Sequence, residues 1–221
     1  MTSIDGPRLA PADGRPARHL VVLLHGYGAD GADLIGLGHE WRRLLPTACF
    51  VAPDAPEPCP MSGFGRQWFP LTDFGDEARL AGARHAAPAL DAFIDAELQK
   101  LGLTDSDLAL VGFSQGCMMA LHVGLRRRQA PAGIVGFSGA LPGSPAVLEA
   151  EVTAKPPVLL VHGSADAVVA PASLQRAVTA LYGLQVPVQW HIEEGLPHGI
   201  GPEGFALAGE FLCRVLLDAA A

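Results

Sequence analysis

Two stretches of the chain carry the same Gly-Phe-Ser after an apolar run, "LVGFSQG" (110–116) and "IVGFSGA" (134–140). A serine hydroxyl is a weak nucleophile at neutral pH. It becomes useful when an imidazole can take its proton and a carboxylate holds that imidazole in the right tautomer. His-Gly pairs at His25, His162 and His198 offer three candidate bases. A nucleophilic serine between a strand and a helix sits on a sharp, strained turn, with glycines two residues before and after because side chains there would collide with the adjacent strand and helix. Ser114 has both, Gly112 and Gly116, and runs into "CMMALHVGLRRR", which can continue as a helix. Ser138 has Ala140 at the second position and is followed by "LPGSP", whose prolines and glycine oppose a helix. Ser114 is therefore the candidate nucleophile, and Ser138 the end of a neighbouring strand.

For a serine on such an elbow the chain order is serine, acid, histidine. Asp166 in "VHGSADAVV" (161–169) lies just beyond an apolar run, and His198 in "EEGLPHGIGPE" (193–203) lies between the last run and a terminal helix. These two are the expected acid and base. Glu193 and Glu194 are alternative acids, though they stand very near His198 in sequence. His25 precedes the nucleophile and is expected to make structural hydrogen bonds beside its loop, and His162 to orient the same loop as Asp166. His19, His39, His85, His122 and His191 fall in flanking, helical or strand segments and suit surface or packing roles.

Ester cleavage passes through a tetrahedral oxyanion that needs two backbone N–H donors, each worth roughly 3 kcal/mol of transition-state stabilisation. Gln115, next after the serine, supplies one, and Tyr27 in "HGYGADG" (25–31) the other. The same loop matches the dinucleotide fingerprint G-x-G-x-x-G, with Asp54 where a ribose-binding acid would stand. Asp30 and Asp33 at the helix N-terminus would repel a pyrophosphate, however, and Asp54 is hemmed by Pro53 and Pro56. No nucleotide and no other cofactor is expected. The four cysteines lack C-x-x-C spacing, so no metal site is expected either.

Short apolar runs at 19–24, 48–52, 108–113, 132–137, 157–162 and 186–192 must position these residues. Most are continuous rather than alternating, the pattern of strands buried on both faces. Helix-like segments lie between them, at 32–45, 78–101 (with Pro88 starting or kinking its second part), 115–128, 171–183 and 203–219. The alternation implies an α/β domain over 1–221, with a mostly parallel sheet flanked by helices on both faces. The long irregular stretch 53–77 carries Phe64, Trp68, Phe69 and Phe74, which suits an ordered flap lining a pocket.

Composition excludes several classes. A net charge of −8 disfavours nonspecific binding to nucleic acid or anionic membrane, and the one basic run, Arg126, Arg127 and Arg128, suits a helix end. There is no signal-like apolar region near the start and no apolar stretch of membrane-spanning length. With unpaired cysteines this points to a cytoplasmic protein without stable membrane insertion.

The stretches "LLHGYGADGADLIGL", "GRQWFPL", "LVGFSQGCMMAL", "LLVHGSADAVVAP" and "GLPHGI", in order from about 23 to 200, resemble the phospholipase/carboxylesterase family of α/β-hydrolases, which includes the acyl-protein thioesterases. The resemblance implies an α/β-hydrolase fold without a large cap domain, small-molecule ester substrates, Ser114, Asp166 and His198 as a triad, oxyanion donors at Tyr27 and Gln115, and a pocket near Trp68 and Phe69. It also brings in a homodimer as a candidate assembly. "HGYGADG" in place of "HGLGD" leans toward the bacterial carboxylesterase branch. Leu71, Phe74, Met118 and Val168 join Trp68 and Phe69 as expected contacts for an acyl chain, held by burial at about 25 cal/mol per Å². Acyl-thioesters and lysophospholipids pass through the same oxyanion and fit the same machinery. A noncatalytic ligand-binding relative would normally lack a triad member, and none is missing here.

Overall fold

The computed structural model of the chain describes residues 4–71 and 75–217. Nine strands occur among them: β1 (Arg8–Leu9), β2 (His19–Leu24), β3 (Ala48–Val51), β4 (Glu57–Pro58), β5 (Arg66–Gln67), β6 (Leu108–Phe113), β7 (Gly133–Phe137), β8 (Val158–Gly163) and β9 (Val188–Glu193). Six α-helices accompany them: α1 (Gly31–Trp41), α2 (Asp76–Leu101), α3 (Gln115–Gly124), α4 (Pro145–Glu151), α5 (Ala172–Gly183) and α6 (Pro202–Leu217). The main sheet has the order β1-β3-β2-β6-β7-β8-β9, parallel throughout except for the β1 edge. This is the α/β-hydrolase arrangement, with no cap domain among the described residues.

The continuous apolar runs are explained by a core on each face. Along β2, Leu20, Val22 and Leu24 point to one side and Val21 and Leu23 to the other, as strand pleating requires. The first side is covered by α2, α3 and α5, through residues such as Leu90, Ile94, Leu121 and Leu174. The second is covered by α1 and α6 through Leu34, Trp41, Phe211 and Leu212, with Trp41 stacked on Phe205 at 4.9 Å. No described helix is long and apolar enough to cross a membrane.

Three expectations need correction. Helix α2 has no second start at Pro88, which lies exposed within the one helix, so the carbonyl deprived of a partner lies on the solvent side. Helix α3 stops at Gly124, short of the three arginines. Arg126 instead bonds Glu151, and Arg127 bridges Asp91, Asp95 and Asp105, so the run ties α3 to its neighbours rather than ending a helix. The stretch 53–71 folds around the small antiparallel β4–β5 pair. Its tip exposes Phe64 (99%), and its base buries Trp68 and Phe69, so only part of its aromatic content faces inward.

Candidate active site

Ser114 follows β6 directly and precedes the first residue of α3, at φ 54° and ψ −115°. The turn is tight enough that a Cβ on Gly112 would lie 2.2 Å from the Gly116 carbonyl oxygen, and one on Gly116 1.9 Å from that of Leu24. Both contacts are with backbone, so the two glycines are required by close approach. The fold thus accounts for the spacing around the serine.

Two loops at the C-terminal ends of later strands bring up the other groups. His198 Nε2 lies 3.0 Å from Ser114 Oγ, and His198 Nδ1 lies 2.8 Å from Asp166 Oδ2. Asp166 Oδ1 accepts the N–H groups of Val168 (2.9 Å) and Val169 (2.8 Å). Burial opposes ionisation of this carboxyl, but the hydrogen bonds from His198, Val169 and Val168 outweigh it and hold its pKa below the ordinary value. Asp166 is thereby kept charged where a histidine base can be neutral. His162 Nε2 bonds the Val169 carbonyl at 2.8 Å, and the same nitrogen lies 3.2 Å from Asp166 Oδ2. Glu193 turns elsewhere, accepting from Gly204 N–H at the start of α6.

The "HGYGADG" loop lies against the elbow: a Cβ on Gly26 would sit 3.4 Å from Ser114 Cβ. Gln115 is fully buried and its carboxamide clasps the flap, Oε1 accepting from Trp68 N–H (2.9 Å) and Nε2 donating to the Phe69 carbonyl (2.7 Å). The helix following the loop is capped from within, Asp30 accepting from Asp33 N–H and Asp54 from Gly31 N–H. The carboxylate of Asp54 therefore occupies the position at which an anionic ligand would meet the helix end.

The expected acyl contacts divide. Trp68, Phe69 and Met118 are buried in the core, and Leu71 packs against it half-buried. Val168 is exposed (65%), and Phe74 lies outside the described residues. Near the elbow, Trp68 and Phe69 present polar groups: the Trp68 N–H and the Phe69 carbonyl hold Gln115, and the Trp68 indole donates to the His25 carbonyl. A groove of about 1120 Å³ runs between the start of α2, α4 and α5, lined by Leu80, Leu141, Leu148 and Leu184 among others, and includes neither Ser114 nor His198.

Sequence reasoning missed a function for Ser138. It too has positive φ, 48°, and its hydroxyl donates to the Gly199 carbonyl at 2.9 Å, anchoring the residue after His198. The repeated Gly-Phe-Ser was a visible signal, but the partner 61 residues away was not.

Comparison with known proteins fits this geometry. The chain is 31% identical over 207 residues to acyl-protein thioesterase 1 of Schizosaccharomyces pombe, covering 89% of this chain and 90% of that protein. It is 27% identical to esterase YpfH of Escherichia coli, over 90% and 83% of the two chains. The crystal structure of esterase PE8 superposes with a TM-score of 0.93 at 46% identity, covering 97% of this chain and 100% of that one. Residues 10–216 match the family model for phospholipase/carboxylesterase, and the chain accordingly belongs to that family of α/β-hydrolases, as an enzyme of the serine carboxylesterase class.

Proposed function

We propose that the protein, acting as one domain, hydrolyses small or medium acyl esters through Ser114, His198 and Asp166. The observation that carries this reading is the continuous hydrogen-bonded relay from Ser114 Oγ through both nitrogens of His198 to Asp166. In the first half-reaction His198 Nε2 takes the Ser114 proton as Oγ adds to the ester carbonyl. The N–H groups of Tyr27 and Gln115 receive the resulting oxyanion. Collapse breaks the ester C–O bond, and the proton on Nε2 passes to the departing alcohol. Water then adds to the acyl-serine with His198 again as base, which releases the carboxylic acid and restores the serine. Asp166 stays ionised and holds Nδ1–H throughout. No cofactor or metal takes part in this scheme. The buried thiols of Cys49, Cys59 and Cys117 suit a reducing, cytoplasmic setting.

Similarity to acyl-protein thioesterase 1 supports a second reading, in which an acyl-thioester is the substrate. A fluorophosphonate should label Ser114 and no other serine; absence of labelling on folded protein rejects the serine-esterase reading. Initial rates on p-nitrophenyl esters of graded acyl length, beside an acyl-thioester and a lysophospholipid, then choose the substrate class. A higher kcat/KM on the thioester than on every oxygen ester replaces the first reading with the second.

A further inference from the structure

The imidazole of His25 is fully buried and uses both nitrogens, with Nδ1 2.8 Å from the Gly26 carbonyl oxygen and Nε2 2.9 Å from Ala55 N. A carbonyl only accepts and a backbone N–H only donates, so the proton sits on Nδ1 and Nε2 presents its lone pair. Burial pushes the pKa of this ring down, against the opposing pull of the Gly26 bond and of Asp54, Asp30 and Asp33, which keeps the ring neutral near neutral pH.

The carbonyl that His25 holds is one end of the peptide unit whose other end is the Tyr27 N–H. That unit is planar and trans, so its C=O and N–H point in opposite directions within one plane. Fixing the oxygen fixes the hydrogen. Glycine at position 26 has no side chain to steady the unit, and the unit lies beside Ser114. The same oxygen also accepts from Ala29 N–H at 3.3 Å. The preceding peptide is held in turn, because the Trp68 indole donates to the His25 carbonyl at 3.0 Å.

We infer that His25 is a positioning residue whose Nδ1–H bond to the Gly26 carbonyl aims the Tyr27 N–H at the carbonyl oxygen of an ester bound at Ser114. The inference rests on the serine-esterase reading above. Accepting that bond also polarises the amide, which strengthens its N–H as a donor.

Two substitutions separate the two ends of the ring. In His25→Asn a carboxamide nitrogen replaces Nδ1 and keeps the bond to Gly26, while contact with Ala55 is lost. In His25→Gln the carboxamide reaches the Nε2 position and keeps Ala55, while the bond to Gly26 is lost. The Gln variant should lose about 10- to 100-fold in kcat with KM nearly unchanged, short of the roughly 10²- to 10³-fold loss for deleting a donor outright. Its Ki for a boronic acid that forms a tetrahedral adduct on Ser114 should rise by the same factor. The Asn variant should keep kcat within about threefold of the parent and show the larger fall in Tm. Equal kcat losses in both variants, a loss in the Asn variant alone, or a Gln variant within about threefold of the parent would each overturn the inference. If the variants do not fold, nitrogen-15 NMR of the unmodified enzyme decides: a proton on Nδ1 alone supports it, and a proton on Nε2 overturns it. Labelling keeps the two readings apart, since a parent enzyme unlabelled by fluorophosphonate defeats the esterase reading, whereas a labelled parent with equal Asn and Gln turnover defeats only the positioning role.

Discussion

Residues 112–114 and 136–138, each Gly-Phe-Ser, end adjacent parallel strands in register, Gly112 opposite Gly136 and Phe113 opposite Phe137. Both serines have positive φ, 54° and 48°, so backbone strain does not distinguish them. The chain beyond each serine does. After Ser114 it enters α3 at once, and the hydroxyl is left facing His198. After Ser138 it continues without a helix until Pro145, and the hydroxyl is buried and spent on the Gly199 carbonyl. The phenylalanines differ likewise: Phe113 lies 4.9 Å from the His198 ring, while Phe137 is sealed in the core. Two equal strand ends thus take opposite parts, one meeting His198 directly and the other steadying the loop that carries it.

The largest test of this contrast is removal of each hydroxyl. Ser114→Ala should lower kcat by about 10⁴- to 10⁶-fold and abolish fluorophosphonate labelling, whereas Ser138→Ala should remain labelled. The reverse pattern in a labelling gel would exchange the two roles. Asp166→Asn should cost about 10³- to 10⁴-fold in kcat while the protein still folds, because the amide no longer imposes the right tautomer on His198. Steady-state rates checked against circular dichroism measure that loss.

Smaller effects separate the glycines. A Cβ on Gly116 meets backbone at 1.9 Å, while one on Gly136 meets the Cys117 sulfur at 2.5 Å. Gly116→Ala should destabilise by about 3 kcal/mol or more, and Gly136→Ala by about 1–2 kcal/mol. Adding Cys117→Ala should recover stability only in the second case, as urea denaturation would show. Ser138→Ala leaves the Gly199 carbonyl without its donor and should cost about 1–2 kcal/mol by the same measurement, with at most a tenfold loss in kcat.

The smallest effect lies on α3, the helix that only Ser114 possesses. Burial pushes the His122 pKa down from 6.5 to about 4, with Arg126 adding to the shift. The folded ring stays neutral where the unfolded one takes a proton, so stability is complete above 6.5 and declines as pH falls toward about 4. The loss should be about 1 kcal/mol by roughly pH 5.5. His25, shifted in the same direction, adds to the slope, so the contribution of His122 is the difference between the parent and His122→Asn in denaturation at several pH values.

Much of the site was legible because its signals are local. Gly112, Ser114 and Gly116 lie within one turn of chain, and the order Ser114, Asp166, His198 reflects loops at successive strand ends. The acyl contacts were less legible. Trp68, Phe69 and Met118 carry the composition of a pocket wall, but burial at 0–3% exposure makes them core, a distinction that depends on what covers them. The shorter α3 escaped notice for a similar reason, since Arg126 and Arg127 are helix formers taken up by carboxylates distant in sequence.

By itself the sequence determined the alternation of strands and helices, through the period of its apolar residues, and which Gly-Phe-Ser runs directly into a helix, through the glycine and helix-forming residues that come next. Only the tertiary structure decided which groups the three His-Gly histidines hold. His198 faces Ser114, His162 shares Asp166 with it, and His25 grips the Gly26 carbonyl, although all three begin as His-Gly. A hydrogen bond depends on where two groups meet in space. His198 and Ser114 lie 84 residues apart, and the sheet register that joins them is set by the whole core.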